Sequence, residues 1–250
     1  MTRLSYTEFN SFGLVVPLAN EANGLNDFVA AITKVFDSLS EGFAYLVVDN
    51  VSKDNTLDLC KEISSRDSRF LTVWAPENRN VVDAYIRGYR EAFDRGHPWI
   101  IEMDGGFSHD PRVLPQFVEA LKAGNMAVFG SRFIAGGSIE HSNLKRTFLA
   151  KGGTILSNLF LGTKLRDMTS GYQGFHSEVV AQILNYPLMS KAHFYQTELR
   201  YLARTIKYVE IPIQYRAPSP SVSRNAIVNS FSTLGHYISL RLRGKSPRFT

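Results

Sequence analysis

The sequence predicts an α/β sandwich with a mostly parallel central sheet. Three observations carry that prediction. Apolar runs of strand length alternate with segments whose apolar residues recur at helical spacing. The strand-like runs are continuous in apolar residues, as suits strands covered on both faces. Polar residues terminate them, and the repeated β-α-β pattern implies a layered sheet.

Each element follows in order. FGLVVPL, closing near Pro17, is the first strand. Leu25, Phe28, Val29, Ile32, Val35, Phe36 and Leu39 then mark one face of a helix. FAYLVVDN is a second strand, apolar until Asp49. A helix around Leu57 to Ile63 leads into the strand FLTVW. Val81, Tyr85, Tyr89 and Phe93 mark another helix face, PWIIEMD a further strand, and Leu114, Phe117, Val118 and Leu121 the next helix. MAVFGSR is again strand-like. After Arg132 the pattern changes: FIAGGSIEHSNLKRTFLAKGG is glycine-rich and basic, and reads as a mobile loop running into a helix. Near the end, Ile227, Val228, Phe231, Leu234 and Ile238 fit one helix face, followed by the basic stretch RLRGKSPR. That segment suits either an anionic lipid surface or packing on the domain with a solvated tail.

The 250 residues suit one domain with at most an appendage, and 44% hydrophobic content is enough for a sizeable core. Lys+Arg 28 against Asp+Glu 23 gives a net charge of +5, which favours anionic partners. The basic residues are scattered and carry no RNA-binding signature, so nucleic acid is not expected. Cys60 is the lone cysteine, which excludes an internal disulfide and argues against a cysteine-based zinc site. MTRLSYTEFN lacks the apolar centre of a signal peptide, and no apolar run approaches ~20 residues. A cytoplasmic protein is expected, with peripheral membrane contact through the C-terminal helix as the further expectation.

Ligands in such sheets sit at the carboxyl ends of the strands. The residues there are Asn20 and Glu21, Asp49 and Asn50, Asp104, and Ser131 and Arg132. Each alone also fits a helix cap or a turn. Together they point to a site.

Several ordered motifs resemble the family-2 glycosyltransferases of GT-A fold, and within them the dolichol- or polyprenyl-phosphate mannose synthases and their glucosyl relatives. VVPLANEANGL is similar to the family's opening strand and Asn-Glu turn. VVDNVSKDNT, IEMDGGFSHDP, FGSRF, LKRTFLAKGG, DMTSGYQGF, YQTE and VEIPIQYR follow in the family's order. The likeness spans about Gly13 to Arg224. It implies a GT-A domain over residues 1–224, with an amphipathic helix and basic tail over 225–250.

The resemblance implies inverting transfer of a sugar from a nucleotide-diphosphate donor to a phosphate acceptor, such as a polyprenyl phosphate. Pro17, Glu21, Val48, Asp49, Asn50, Asp104, Gly105 and Arg224 are then expected around the nucleotide-sugar. Asp104 is expected to hold a divalent cation, Mg2+ or Mn2+, against the diphosphate. Glycine at 105 would let phosphate approach the backbone. Arg132 and Arg146 are expected on the acceptor phosphate, since guanidinium forks suit its geometry. Asp104, Arg132 and Asp167 are the expected catalytic set. A hydroxyl acceptor would need a general base, for which Asp167 is the candidate, with Glu198 behind it. Asp167 also suits a structural turn.

The sequence departs from the family at several points. Gly106 stands where the second Asp of the metal pair is usual, and Asn50, Val51, Asn80 and Val82 replace other family residues. Pro218 falls where an arginine is usual, Ser223 keeps a serine, Arg224 replaces a lysine and Arg216 offers compensation. The rival readings are transfer to a sugar hydroxyl and a non-catalytic nucleotide-binding homologue, the latter motivated by Gly106.

Overall fold

A computed structural model describes residues 11–39, 41–140, 144–216 and 224–250, without the side chains of 144–146 and 149. The opening half is a regular alternation: β1 (Phe12–Leu18), α1 (Leu25–Leu39), β2 (Gly42–Val48), α2 (Thr56–Arg66), β3 (Phe70–Trp74), α3 (Val81–Asp94) and β4 (Trp99–Glu102). Then come α4 (Leu114–Lys122), β5 (Ala127–Ser131), β6 (Ser138–Glu140) and α5 (Leu144–Leu161). The chain closes with β7 (Gln173–His176), α6 (Ser177–Asn185), α7 (Tyr195–Leu202), β8 (Tyr208–Pro212), β9 (Gln214–Arg216) and α8 (Arg224–Leu242).

The main sheet runs β3-β2-β1-β4-β7-β5-β8. Its first four strands pair parallel, as do β5 and β8, while β7 lies antiparallel between β4 and β5. Pleating explains the continuous apolar runs. Val15 and Val47 face the core under α3, α6 and α7, while Leu14, Val16, Leu46 and Val48 face the core under α1, α2 and α4. Both faces are therefore covered, as expected of a parallel sheet.

One departure from the expected elements stands out. The glycine-rich stretch after Arg132 contains β6, which pairs parallel with β9 in a second small sheet. The closing run VEIPIQYR, given from the sequence only as a family motif, contributes to two strands, β8 and β9. Asn80 also gains a local reason. Its side chain accepts from the N–H groups of Val82 and Asp83 and caps α3, a service worth about 1 kcal/mol.

In α8 only Thr233, Leu234 and Tyr237 are buried, while Ile227, Val228 and Phe231 stay exposed. The tail after α8 folds back onto the body. Phe249 is 3% exposed, its N–H donates to the Leu202 carbonyl at 2.8 Å, and its ring meets Tyr186. No helix among the described residues is long and apolar enough to cross a membrane.

Candidate active site

Asp104 lies two residues beyond the end of β4. The hydroxyl of Tyr85, on the buried face of α3, donates to Asp104 Oδ1. His109 stands behind, with Nδ1 3.7 Å from Asp104 Oδ2. The same Nδ1 accepts the Asp104 backbone N–H at 3.3 Å, so it carries no proton of its own. Burial pushes the His109 pKa down, with Arg132 and Arg200 adding to the effect against the pull of Asp104. His109 is thus a neutral wall and leaves the Asp104 charge uncompensated. The Asp104 side chain remains 29% exposed.

The two glycines after Asp104 have different reasons. A Cβ on Gly105 would lie 2.6 Å from Leu18 Cδ2 and 3.2 Å from the Pro17 carbonyl oxygen. Close packing under the end of β1 therefore suffices to require glycine at 105. Gly106 adopts φ +69°, and its Cβ would lie 2.6 Å from Glu21 Oε2. The Glu21 carboxylate fills the space a side chain at 106 would take.

Glu21 is held there by the turn after β1. Its N–H donates to Thr56 Oγ1 at 2.9 Å, and the preceding Asn20 takes φ 61°, a conformation Asn tolerates. Burial, then the charges of Asp54 and Asp104, raise the Glu21 pKa. Lys53 N–H donates to Asn20 Oδ1 at 2.8 Å, which ties the β1 and β2 turns together.

At the end of β2, Val48 is fully buried and Asp49 is nearly so, with Asp49 Oδ1 accepting the Val51 N–H at 2.9 Å. Asn50 is exposed and donates from Nδ2 to the Pro76 carbonyl at 2.8 Å. Pro17, Glu21, Val48, Asp49 and Asn50 thus sit on adjacent strand ends beside Asp104.

The other half of the site centres on Arg132, just past β5. Its Nε lies 2.7 Å from Asp167 Oδ2 and its Nη2 2.8 Å from Oδ1, a two-pronged buried pair. Nη2 also donates to Thr169 Oγ1 at 2.6 Å, and the Arg132 backbone N–H to Asp167 Oδ2 at 3.0 Å. Burial works to raise the Asp167 pKa. The charge and hydrogen bonds of Arg132, helped by Arg200, prevail and hold it down at about 2. Tyr215 and Phe133 flank the guanidinium at 5.5 and 5.2 Å. Among the described residues Arg132 Nη1 has no hydrogen-bond partner.

A cavity of about 440 Å³ joins these halves. Asp104, Arg132, Thr169 and Tyr215 line one part, and Phe148, Leu156, Ile227 and Phe231, from α5 and α8, line another. Among the described residues that line it, Asp104 is the only carboxylate and His193 the only imidazole. Asp167 is not in the lining and is fully buried. Glu198 is equally buried: it accepts from the N–H groups of Met189 and Ser190 and from the Tyr237 hydroxyl, fastening α7 to α8. Neither acid is placed to take a proton from an acceptor in the cavity.

Arg146 has its side chain outside the described residues, and Pro218 and Ser223 lie wholly outside them. Arg224, the first residue of α8, is exposed and absent from the cavity lining. Arg216 pairs with Glu140 at 3.4 Å.

Sequence reasoning missed Tyr85, Thr169 and Arg200. Tyr85 was visible only as one apolar position on a helix face. Arg200 is fully buried and donates to the carbonyls of Asp167 and Ser170. Nothing in its sequence context distinguishes it from a solvated arginine.

The strand ends of a mostly parallel sheet gather one partly exposed carboxylate and a buried arginine around a cavity, and the architecture as a whole is that of the GT-A-like transferases. Solved structures agree with that architecture. Glucosyl-3-phosphoglycerate synthase from Mycobacterium tuberculosis, in complex with Mn2+, UDP-glucose and phosphoglyceric acid, matches with TM-score 0.65 at 16% identity, over 94% of this chain and 80% of that one. The same enzyme with Mg2+ and UDP matches with TM-score 0.60 at 15% identity, over 96% and 80%.

Residues 14–184 match the glycosyl transferase family 2 model, and the chain belongs to that family. It is a glycosyltransferase. It is 27% identical over 203 residues to the undecaprenyl-phosphate mannosyltransferase of Micrococcus luteus, covering 80% of this chain and 82% of the relative. It is 27% identical over 238 residues to the polyprenol monophosphomannose synthase of Mycolicibacterium smegmatis, covering 94% and 88%. The dolichol-phosphate mannosyltransferase of Pyrococcus furiosus is also 27% identical, over 94% of this chain and 65% of the relative.

Proposed function

We propose that this glycosyltransferase moves a sugar from a nucleotide-diphosphate donor to the phosphate of a polyprenyl carrier, with inversion at the anomeric carbon. One observation carries the reading: a single cavity links Asp104 and Arg132 to an apolar wall made by α5 and α8. An acceptor with an anionic head and a hydrocarbon tail matches both parts. The names of the relatives support the same substrate class.

In this mechanism the donor lies across the ends of β1, β2 and β4, with Pro17, Glu21, Val48, Asp49, Asn50 and Gly105 around it. Arg224 is assigned to the donor side as well. Arg132 holds the acceptor phosphate, Asp167 and Thr169 fix the guanidinium, and Arg146 is the proposed second cation. A phosphate monoester is already ionised near neutral pH, so its oxygen attacks without a general base. The buried and engaged state of Asp167 supports that route over a hydroxyl acceptor.

The donor set fits a divalent cation: Asp104 offers a partly exposed carboxylate at a strand end, and Mg2+ is usually held by one or two carboxylates with phosphate oxygens and water. When bound, the ion supplies neutralisation of the charge left on the departing diphosphate. Residues 1–224 are assigned to the transferase unit and 225–250 to a helix and tail that adjoin it.

Peripheral membrane contact, on a cytoplasmic face, belongs to the same reading. Phe148, Ile155 and Leu159 of α5 and Val228 and Phe231 of α8 are each more than half exposed, and the two helices pack together. Such a patch beside the cavity suits a bilayer surface that delivers the acceptor.

The test is transfer of radiolabelled sugar from GDP-, UDP- and dTDP-sugars to a polyprenyl phosphate and, separately, to a free oligosaccharide. Label on the lipid phosphate is expected. Label on the oligosaccharide alone would refute the proposal.

A further inference from the structure

Gly106 removes an acid from the position where its relatives are expected to carry one, yet the space is not empty. A Cβ on Gly106 would meet the Glu21 carboxylate at 2.6 Å to Oε2, 3.0 Å to Cδ and 3.1 Å to Oε1. An acid from the β1 turn therefore stands where an acid from the β4 turn is missing. Among the described residues no donor reaches the Glu21 oxygens and no cation pairs with them; its one side-chain-mediated bond is made by its backbone N–H. At Asp104 the Tyr85 hydroxyl donates to Oδ1 and His109 Nδ1 lies 3.7 Å from Oδ2, and among the described residues no lysine or arginine pairs with it. Two carboxylates without a counter-ion at one strand edge repel each other unless a cation joins them.

We infer that Glu21 replaces the missing acid of residue 106, and that Asp104 and Glu21 together are the protein's carboxylate share of the divalent-cation site. The inference rests on the donor half of the proposed function. It goes further by moving the second ligand from one loop to another. Two carboxylates with phosphate oxygens and water complete the coordination that Mg2+ or Mn2+ favours. It also gives the glycine at 106 a role, since it leaves room for the Glu21 carboxylate. Aspartate tolerates a left-handed backbone better than most residues, so an aspartate at 106 would compete with the Glu21 carboxylate for the same space.

The experiment measures Mn2+ binding, by electron paramagnetic resonance and calorimetry, with GDP and with UDP as probes. The proteins are wild type, Glu21→Gln, Gly106→Asp and the double variant Glu21→Ala/Gly106→Asp, each checked for fold by circular dichroism. Glu21→Gln is expected to weaken Mn2+ binding to the nucleotide complex by about tenfold or more. Nucleotide binding in EDTA should change by less than about threefold, because the lost contact is to the ion. Gly106→Asp alone should bind Mn2+ no better than wild type. In the Glu21→Ala background the same aspartate should restore affinity to within about threefold of wild type, a strong non-additivity between touching sites.

Equal loss of nucleotide affinity with and without Mn2+ in Glu21→Gln would overturn the inference, because Glu21 would then be reading the nucleotide. A gain in Mn2+ affinity from Gly106→Asp alone would also overturn it. Wild-type protein that binds nucleotide and transfers sugar in EDTA, without Mn2+ binding, would overturn the cation site and leave the transferase reading standing. Absence of nucleotide binding in every condition would overturn both.

Discussion

Replacing Asp167 with Asn tests whether Arg132 is a built anion-binding group. The carboxylate accepts the Arg132 backbone N–H at 3.0 Å, Nε at 2.7 Å and Nη2 at 2.8 Å, and the Thr169 N–H at 3.0 Å. Both side chains are buried. The Asp167 pKa is held at about 2 against an ordinary 3.8. A depression of that size corresponds to about 2–3 kcal/mol of folded-state stabilisation at neutral pH. Removing one partner of a buried pair typically costs about 3–5 kcal/mol. The expected loss for Asp167→Asn is therefore about 3 kcal/mol at pH 7.

The sign in pH follows from the depressed pKa. The stabilisation is fully present above the unfolded value and is lost as pH falls through the folded one. The gap between wild type and variant should stay constant between about pH 8 and about pH 5, then narrow below about pH 4. Urea unfolding of both proteins across that range is the assay. A destabilisation under about 1 kcal/mol at pH 7, or a gap that widens toward acid, would refute the reasoning.

Further expectations concern the neighbouring groups. Tyr85→Phe removes a charge-assisted hydrogen bond from Asp104; transfer should fall by about tenfold or more with the fold intact, read as kcat and as melting temperature. His193→Asn should change transfer to a lipid phosphate by less than about threefold, whereas loss by a factor of about one hundred would reveal a general base and a hydroxyl acceptor. Phe148→Ser with Phe231→Ser, at two exposed positions that also line the cavity, should reduce sedimentation with anionic vesicles and raise the KM for a long-chain acceptor more than for a short-chain one. Asn80→Ala should cost about 1 kcal/mol of stability, read by urea unfolding, through the lost cap on α3.

The strands of the parallel half were legible because burial on both faces leaves an uninterrupted apolar run. Leu14 and Val15 point to opposite cores, yet both must be apolar. β7 was not legible as a sheet member: Gln173-Gly174-Phe175-His176 is short and mixed, and its place between β4 and β5 is set by tertiary pairing. β6 and β9 escaped for a related reason, as three-residue strands carry too little pattern.

For the site, strand-end position singled out Asp104 and Arg132, and the cavity brings them together. What it could not show was how one residue is used by another. Asp167 read equally as a base or a turn residue, and only its burial against Arg132 decides what its carboxylate can do. Gly106 read as a lost ligand, because no local pattern reveals that Glu21, 85 positions earlier in the sequence, lies against it.

The central claim is that Arg132 receives the phosphate of a lipid acceptor while the nucleotide is bound elsewhere along the same strand edge. The most direct measurement is a titration of polyprenyl phosphate at saturating donor, for wild type and Arg132→Gln, beside the Kd of the nucleoside diphosphate for each. The account predicts a KM for the lipid phosphate raised by about tenfold or more, with nucleotide affinity changed by less than about threefold. An unchanged acceptor KM, or a nucleotide affinity that falls as far as the acceptor's, would contradict it.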